Sequence, residues 1–161
     1  MIDGVHFRDF KESDTPVLAE LFGAAIRTVY PDISDGVWLN GLRNVEDTYL
    51  RYGGAFIVGE YQAEVVAMGE LKRISDTSGE MVRVAVKPGL HGAGLGHALL
   101  VVIEARAIEL GMTELILDTT SEQIRAINLY VNNGYTEYDR KNINHPTGNT
   151  FETIYYRKSL Q

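Results

Sequence analysis

Residues 84–98 read Val-Ala-Val-Lys-Pro-Gly-Leu-His-Gly-Ala-Gly-Leu-Gly-His-Ala, and no other stretch of the chain restricts its fold as much. The segment Glu80–Val86 alternates, with Val82, Val84 and Val86 on one side and Met81, Arg83 and Ala85 on the other, which predicts a strand. Lys87-Pro88-Gly89 ends it, because proline cannot extend a ladder. From Gly94 the spacing becomes helical through Leu95, Leu99, Val102/Ile103, Arg106/Ala107 and Leu110, with Gly111 as the C-terminal stop. A strand that enters a helix through glycines at 92, 94 and 96 presents backbone N–H groups at the positive end of a helix dipole. Side chains there would keep a phosphate at a distance, and glycine also reaches backbone angles that other residues avoid. The turn therefore predicts an anion site.

The two common phosphate fingerprints do not fit. The dinucleotide pattern G-x-G-x-x-G/A fails, since counting from Gly92 places His97 at its last position and counting from Gly94 places Leu99 there. The P-loop fails because the chain has no Gly-Lys pair. Charge distribution supports an anion all the same. Lys plus Arg is 15 and Asp plus Glu is 22, a formal net charge of −7, yet Met81–Ile103 contains Arg83 and Lys87 and no acid. The acidic balance argues against nucleic-acid binding, which needs a basic field. With no cysteine, a thiolate nucleophile, a disulfide and a Cys-ligated metal are excluded. The four His are dispersed, and neither H-x-x-x-H nor a carboxylate cluster supports a metal.

The remaining pattern is of one mixed α/β (α+β) domain over residues 1–161, since no linker or repeat divides the chain. Val5–Phe10 reads as a strand. Ser13-Asp14-Thr15-Pro16 opens a helix carrying Leu18, Leu21, Phe22 and Ala25/Ile26, and Val37–Tyr52 has helical spacing in Trp38, Leu42, Val45 and Tyr49. Ala55–Glu60 and Glu64–Ile74 form a hairpin around Tyr61-Gln62. After the Gly-rich turn come a strand at Glu114–Thr119, a helix at Glu122–Asn132, and strands at Tyr135–Ile143 and Thr150–Ser159. The order βααβββαβαββ predicts a mostly antiparallel sheet flanked by about four helices. The N-terminus lacks the apolar region of a signal peptide, and the longest apolar run, Ala98–Ile103, is too short to cross a bilayer. A cytoplasmic protein with no membrane partner is the expectation.

Three linked pieces resemble the GCN5-related N-acetyltransferase (GNAT) superfamily. Val84-x-Val86-x-Pro88 followed by His91-Gly92-Ala93-Gly94-Leu95-Gly96 is similar to the family's strand and pyrophosphate loop, Q/R-x-x-G-x-G/A. Leu115–Thr120 resembles the next strand. Gln123-x-x-Ala126-x-x-Leu129-Tyr130-x-x-x-Gly134-Tyr135 resembles the family's N-x-x-A-x-x-L-Y-x-x-x-G-F/Y helix and turn. Order and spacing match over about residues 80–138. Two positions depart from the pattern: His91 stands where Gln or Arg is usual, and Gln123 where Asn is commoner.

The resemblance implies acetyl-CoA as donor and a primary amine of a small molecule or peptide as acceptor. It implies that Val84, Ala85 and Val86 line the pantetheine arm, that His91, Gly92, Ala93, Gly94, Leu95, Gly96 and His97 cradle the pyrophosphate, and that Gln123 and Tyr130 complete the cofactor site. It also implies that Tyr130 protonates the departing thiolate, although a helix tyrosine beside Leu129 can equally be a packing residue. Glu80 and Glu70 are the candidate bases for the amine, with Glu80 favoured because it shares the face of Val82 and Val84. Asp118 is another possible base, but a strand-end Asp followed by Thr119-Thr120 more often caps the next helix. Trp38, Tyr30 and Tyr49 border the family's acceptor side but have core spacing. Family members are often dimers through the late strands. Two other functions compete: an acetyl-CoA-binding regulatory domain without turnover, and a nucleotide-phosphate enzyme.

Overall fold

A computed structural model describes residues 2–33, 42, 44–45, 50–144 and 148–161. The strands are β1 (His6–Asp9), β2 (Ala55–Tyr61), β3 (Glu64–Arg73), β4 (Ser78–Val86), β5 (Glu114–Thr120), β6 (Thr136–Asn144) and β7 (Thr150–Ser159). The α-helices among the described residues are α1 (Thr15–Arg27), α2 (Leu95–Glu109) and α3 (Ile124–Asn132). The seven strands form one sheet in the order β1-β2-β3-β4-β5-β7-β6. Only β4 and β5 run parallel; the other neighbours are antiparallel, as expected. The expected helix over Val37–Tyr52 lies largely outside the described residues, Trp38 and Tyr49 included; Leu42 and Val45 are buried.

Period-two patterning divides the core into two layers. On one face, Leu18, Leu21 and Phe22 of α1 pack on Phe56, Val58, Met68 and Ala85. On the other, Leu95, Leu99, Ile103 and Ala107 of α2 pack on Ile57, Ala67, Leu71, Met81, Leu115 and Leu117. The helix α2 lies so close to β3 that a Cβ on Gly69 would stand 2.5 Å from Ile103 Cδ1. The layer of α1 reaches only the β2–β4 side of its face. Beyond it, Ile116, Asp118, Tyr155 and Arg157 alternate with residues buried under α2 and project to the side that is uncovered among the described residues.

The start of α1 is held by one ionic cluster. Arg8 grips buried Asp14 with two bonds, Nη1 to Oδ2 at 2.7 Å and Nη2 to Oδ1 at 2.8 Å, and donates to Glu60 from Nη2 at 2.6 Å. The Lys11 amide also donates to Asp14 Oδ2 at 2.7 Å. These donors hold the Asp14 carboxyl below the usual carboxylate range, chiefly through Arg8. Asp14→Ala is expected to destabilise the fold by about 2–3 kcal/mol, because Arg8 keeps only Glu60 in a partly buried place. Urea unfolding at neutral pH checks this. The difference from wild type should shrink as pH falls below about 4, since the contribution of a depressed carboxyl is lost as it protonates.

Candidate active site

The site grows from a defect in the sheet. Met68 opposes Ala85 and Glu70 opposes Val82, so Gly69 alone faces both Arg83 and Val84. Arg83 takes φ +50°, a left-handed angle rare for a side-chain-bearing residue. This bulge twists β4 and reverses its alternation. Glu80 and Val82 therefore lie on the α1 face, while Val84 packs with the α2 layer. The sequence places Glu80, Val82 and Val84 on one face; the inserted residue moves Val84 to the other.

The bulge also parts two strands. The pairs Ser78–Glu114, Gly79–Leu115 and Glu80–Ile116 are the only ones joining β4 and β5. Beyond Glu80, β5 pairs with β7 alone, and the β5-facing edge of Val82–Val86 is left with unladdered backbone groups. The sheet thus opens well before Pro88, the residue that ends the strand in the sequence. A cleft of ≈1300 Å³ occupies the gap.

One end of the cleft is electropositive by backbone. Gly92 and Gly94 adopt φ +82° and +81°, and Gly94 is the N-cap of α2. No side chain caps this helix and its first turn holds no acid, so the N–H groups of its first turn face the cleft uncompensated. Leu129 packs on Gly96, where a Cβ would lie 3.1 Å from Leu129 Cδ2, which seats α3 against the loop. His91, Gly92, Leu95, Gly96, His97 and Gln123 line the cleft together with Val84, Ala85 and Val86. The Ala93 carbonyl instead accepts the Ile2 amide at 3.2 Å.

The cations differ from those the sequence offers. Arg83 Nη1 donates to Glu70 at 2.7 Å, and Lys87 Nζ to Glu64 at 2.6 Å. Arg125, an unassigned position of the α3 motif, lines the cleft and lies near enough to His91 to lower its pKa, after burial as the larger cause. The signal for it was a basic residue in the first turn of a helix that the glycine loop contacts. Gln123 donates to Thr120 Oγ1 at 3.2 Å, just before α3.

The other end of the cleft holds Tyr130. It is 5% exposed, wedged edge-on against Tyr135 at 5.8 Å between ring centres, and its hydroxyl has no hydrogen-bond partner among the described residues. Burial, then the charge of Asp118, raises its pKa, so it stays protonated.

The two candidate bases separate. Glu70 is fully buried and ion-paired to Arg83, so it stays inside the sheet and pins the bulge. Glu80 is half-buried on the uncovered side, and its carboxyl is raised above the usual range by burial and then by Asp118. Asp118 itself does not cap α3, whose N-cap is Gln123. It faces Tyr155 across the β5–β7 ladder, and the protein around it raises its carboxyl as well. Tyr30 closes this side, its hydroxyl hydrogen-bonded to Thr120 and its ring edge-on to Phe151 at 5.0 Å.

A model of the acetyltransferase (GNAT) family matches residues 20–135. The chain belongs to this family. The fold of this GNAT domain is shared with an acetyltransferase from Staphylococcus aureus Mu50 at 21% identity and TM-score 0.85, covering 98% of this chain and 100% of that one. It is similar to the Salmonella typhimurium protein yncA, solved with its cofactor acetyl-CoA, at 19% identity and TM-score 0.80, covering 99% and 95%. It is also similar to a ribosomal-protein-alanine N-acetyltransferase from Brucella melitensis at 21% identity and TM-score 0.78, covering 96% and 99%. Among the described residues, no helix is long and apolar enough to cross a membrane, and no group of three His, Cys, Asp or Glu could hold a metal.

A carboxyl raised by folding costs stability once ionised: stability is full below the unfolded pKa and falls as pH rises through the folded one. Asp118→Asn is therefore expected to raise the thermal midpoint at pH 8, and to raise it less at pH 4. Differential scanning calorimetry at both pH values checks this.

Proposed function

We propose that this GNAT domain is an acetyl-CoA-dependent N-acetyltransferase acting directly on a primary amine of a small molecule or peptide. The observation that carries the reading is the opened β4–β5 gap, with an uncapped helix N-terminus at one end and the unpartnered Tyr130 hydroxyl at the other. The cleft suits the donor on three counts. The left-handed Gly92 and Gly94 and the first-turn amides of α2 form a cradle for a pyrophosphate, with Arg125 beside it. The free edge of Val82–Val86 offers backbone groups to an amide-bearing arm. The volume holds a nucleotide with a long substituent.

Bound there, acetyl-CoA supplies an activated acetyl thioester. Glu80 accepts a proton from the acceptor ammonium, directly or through water, and its raised pKa brings it closer to neutrality as a base. The free amine attacks the acetyl carbon; a C–N bond forms and the C–S bond breaks. Unladdered N–H groups of β4 stabilise the charge that develops on the acetyl oxygen. As the adduct collapses its nitrogen releases its second proton to solvent, and Tyr130 donates its own proton to the departing sulfur and is reprotonated from solvent. The absence of cysteine excludes a thiol acyl-enzyme, so the transfer is direct.

Gly94→Glu is expected to abolish CoA binding in isothermal titration, through added bulk, a negative charge at the phosphate turn and strain at φ +81°. Circular dichroism establishes that the variant folds, and unchanged affinity in a folded variant would show that the loop is not the phosphate site. Tyr130→Phe is expected to lower kcat by about 100-fold with the Kd for CoA unchanged. A thiol-release assay over a panel of amines measures the rate, and equal rates would leave Tyr130 as packing.

A further inference from the structure

The peptide plane between Ala93 and Gly94 has little local reason to face one way. Gly92 and Gly94 flank it at φ +82° and +81°, and glycine accepts either sign of φ at small cost. The two orientations are opposite for an anion. A trans peptide points its carbonyl and the following N–H in opposite directions. With the Gly94 N–H toward the cleft, the plane donates to a phosphate. Turned over, it sets the Ala93 carbonyl oxygen against one. The left-handed Gly94 followed by helical Leu95 is a reversal of hand that gathers successive N–H groups into one concavity, provided this plane faces inward.

A bond from outside the loop chooses between them. The Ile2 amide donates to the Ala93 carbonyl at 3.2 Å. Gly94 lines the cleft, whereas Ala93 and Ile2 do not, so the carbonyl is drawn off the cleft and the Gly94 N–H is turned to it. No described backbone carbonyl accepts that N–H. The donor of the bond is itself braced. Behind Ile2, Val5 and Phe7 pack on the core layer of α2, and Asp9 Oδ1 accepts from Arg106 Nη1 at 2.6 Å in the last turn of that helix. The stretch from Ile2 to Asp9 is therefore tied to the loop at one end of α2 and to the helix at its other end. It belongs to the outermost strand, with β2 and β3 between it and β4, on the side of the sheet away from the gap.

We infer that the backbone amide of Ile2 is a positioning group for the donor, holding the Ala93–Gly94 peptide so that the Gly94 N–H meets the diphosphate. The inference rests on the acetyltransferase reading and adds to its donor site a residue that lies outside the cleft. Ile2→Pro removes the N–H, and Ile2→Ala keeps it while shortening the side chain. Isothermal titration with CoA is expected to give a Kd about fivefold or more weaker for Ile2→Pro, as the loss of one hydrogen bond lowers the population of the competent plane. Ile2→Ala is expected to restore the wild-type Kd, and calorimetry to give the two free variants similar thermal midpoints. Coupling is reciprocal, so saturating CoA should slow hydrogen exchange at the Ile2 amide of the wild-type protein, followed by NMR. Equal Kd values for the two variants, or an Ile2 exchange rate that CoA leaves unmoved, overturns the inference and leaves the donor site standing. A wild-type protein that binds no CoA overturns both. The exchange measurement decides the matter if Ile2→Pro fails to fold.

Discussion

The site depends on the ion pair between Arg83 and Glu70. A left-handed arginine in mid-strand is strained by of order 1–3 kcal/mol, and such a conformation persists only where its surroundings hold it. Here a fully buried carboxylate across the ladder supplies the hold at 2.7 Å. The bulge that results turns β4 away from β5 after only a short parallel contact. From that divergence follow an unladdered strand edge and a cleft running to the glycine loop, with Tyr130 in its lining and within the field of Asp118. A buried Glu–Arg pair adds little net stability. Its contribution here is geometric.

The opposite electrostatic needs of the two substrates are met without opposing side-chain patches. The α2 end of the cleft carries backbone dipoles and Arg125, with Glu122 the one acid among the lining residues. Arg83 and Lys87 are neutralised by Glu70 and Glu64. Glu80 and Asp118, on the other side, have carboxyls raised by the protein around them, which weakens the fold at neutral pH.

Much of this was legible in the residues. The glycine spacing at 92, 94 and 96 announced the helix N-terminus, because backbone angles and close approach leave few other residues there. The strand and glycine loop, the strand Leu115–Thr120 and the register of Leu129-Tyr130 with Gly134-Tyr135 marked the family. Other readings failed for identifiable reasons. Strict alternation put Val84 with Glu80, since a bulge inserts a residue without a sequence mark when its strained position is an arginine. Counting cations chose Arg83 and Lys87, since a count carries no pairing information. Glu70 stood as a second candidate base beside the favoured Glu80, since its burial depends on the layer packed over its strand. Asp118 looked like a cap, since a strand-end acid and a cap share the same local pattern.

The sequence by itself therefore determined the elements, their order and the phosphate loop, all of which arise from local backbone preference and from the period of apolar residues. The tertiary structure alone decided where the sheet opens, which acid is buried with a partner, and which two acids share a face. Those outcomes depend on contacts between residues far apart in the chain, such as Glu70 with Arg83 and Glu80 with Asp118, whose energies are set by distance and desolvation.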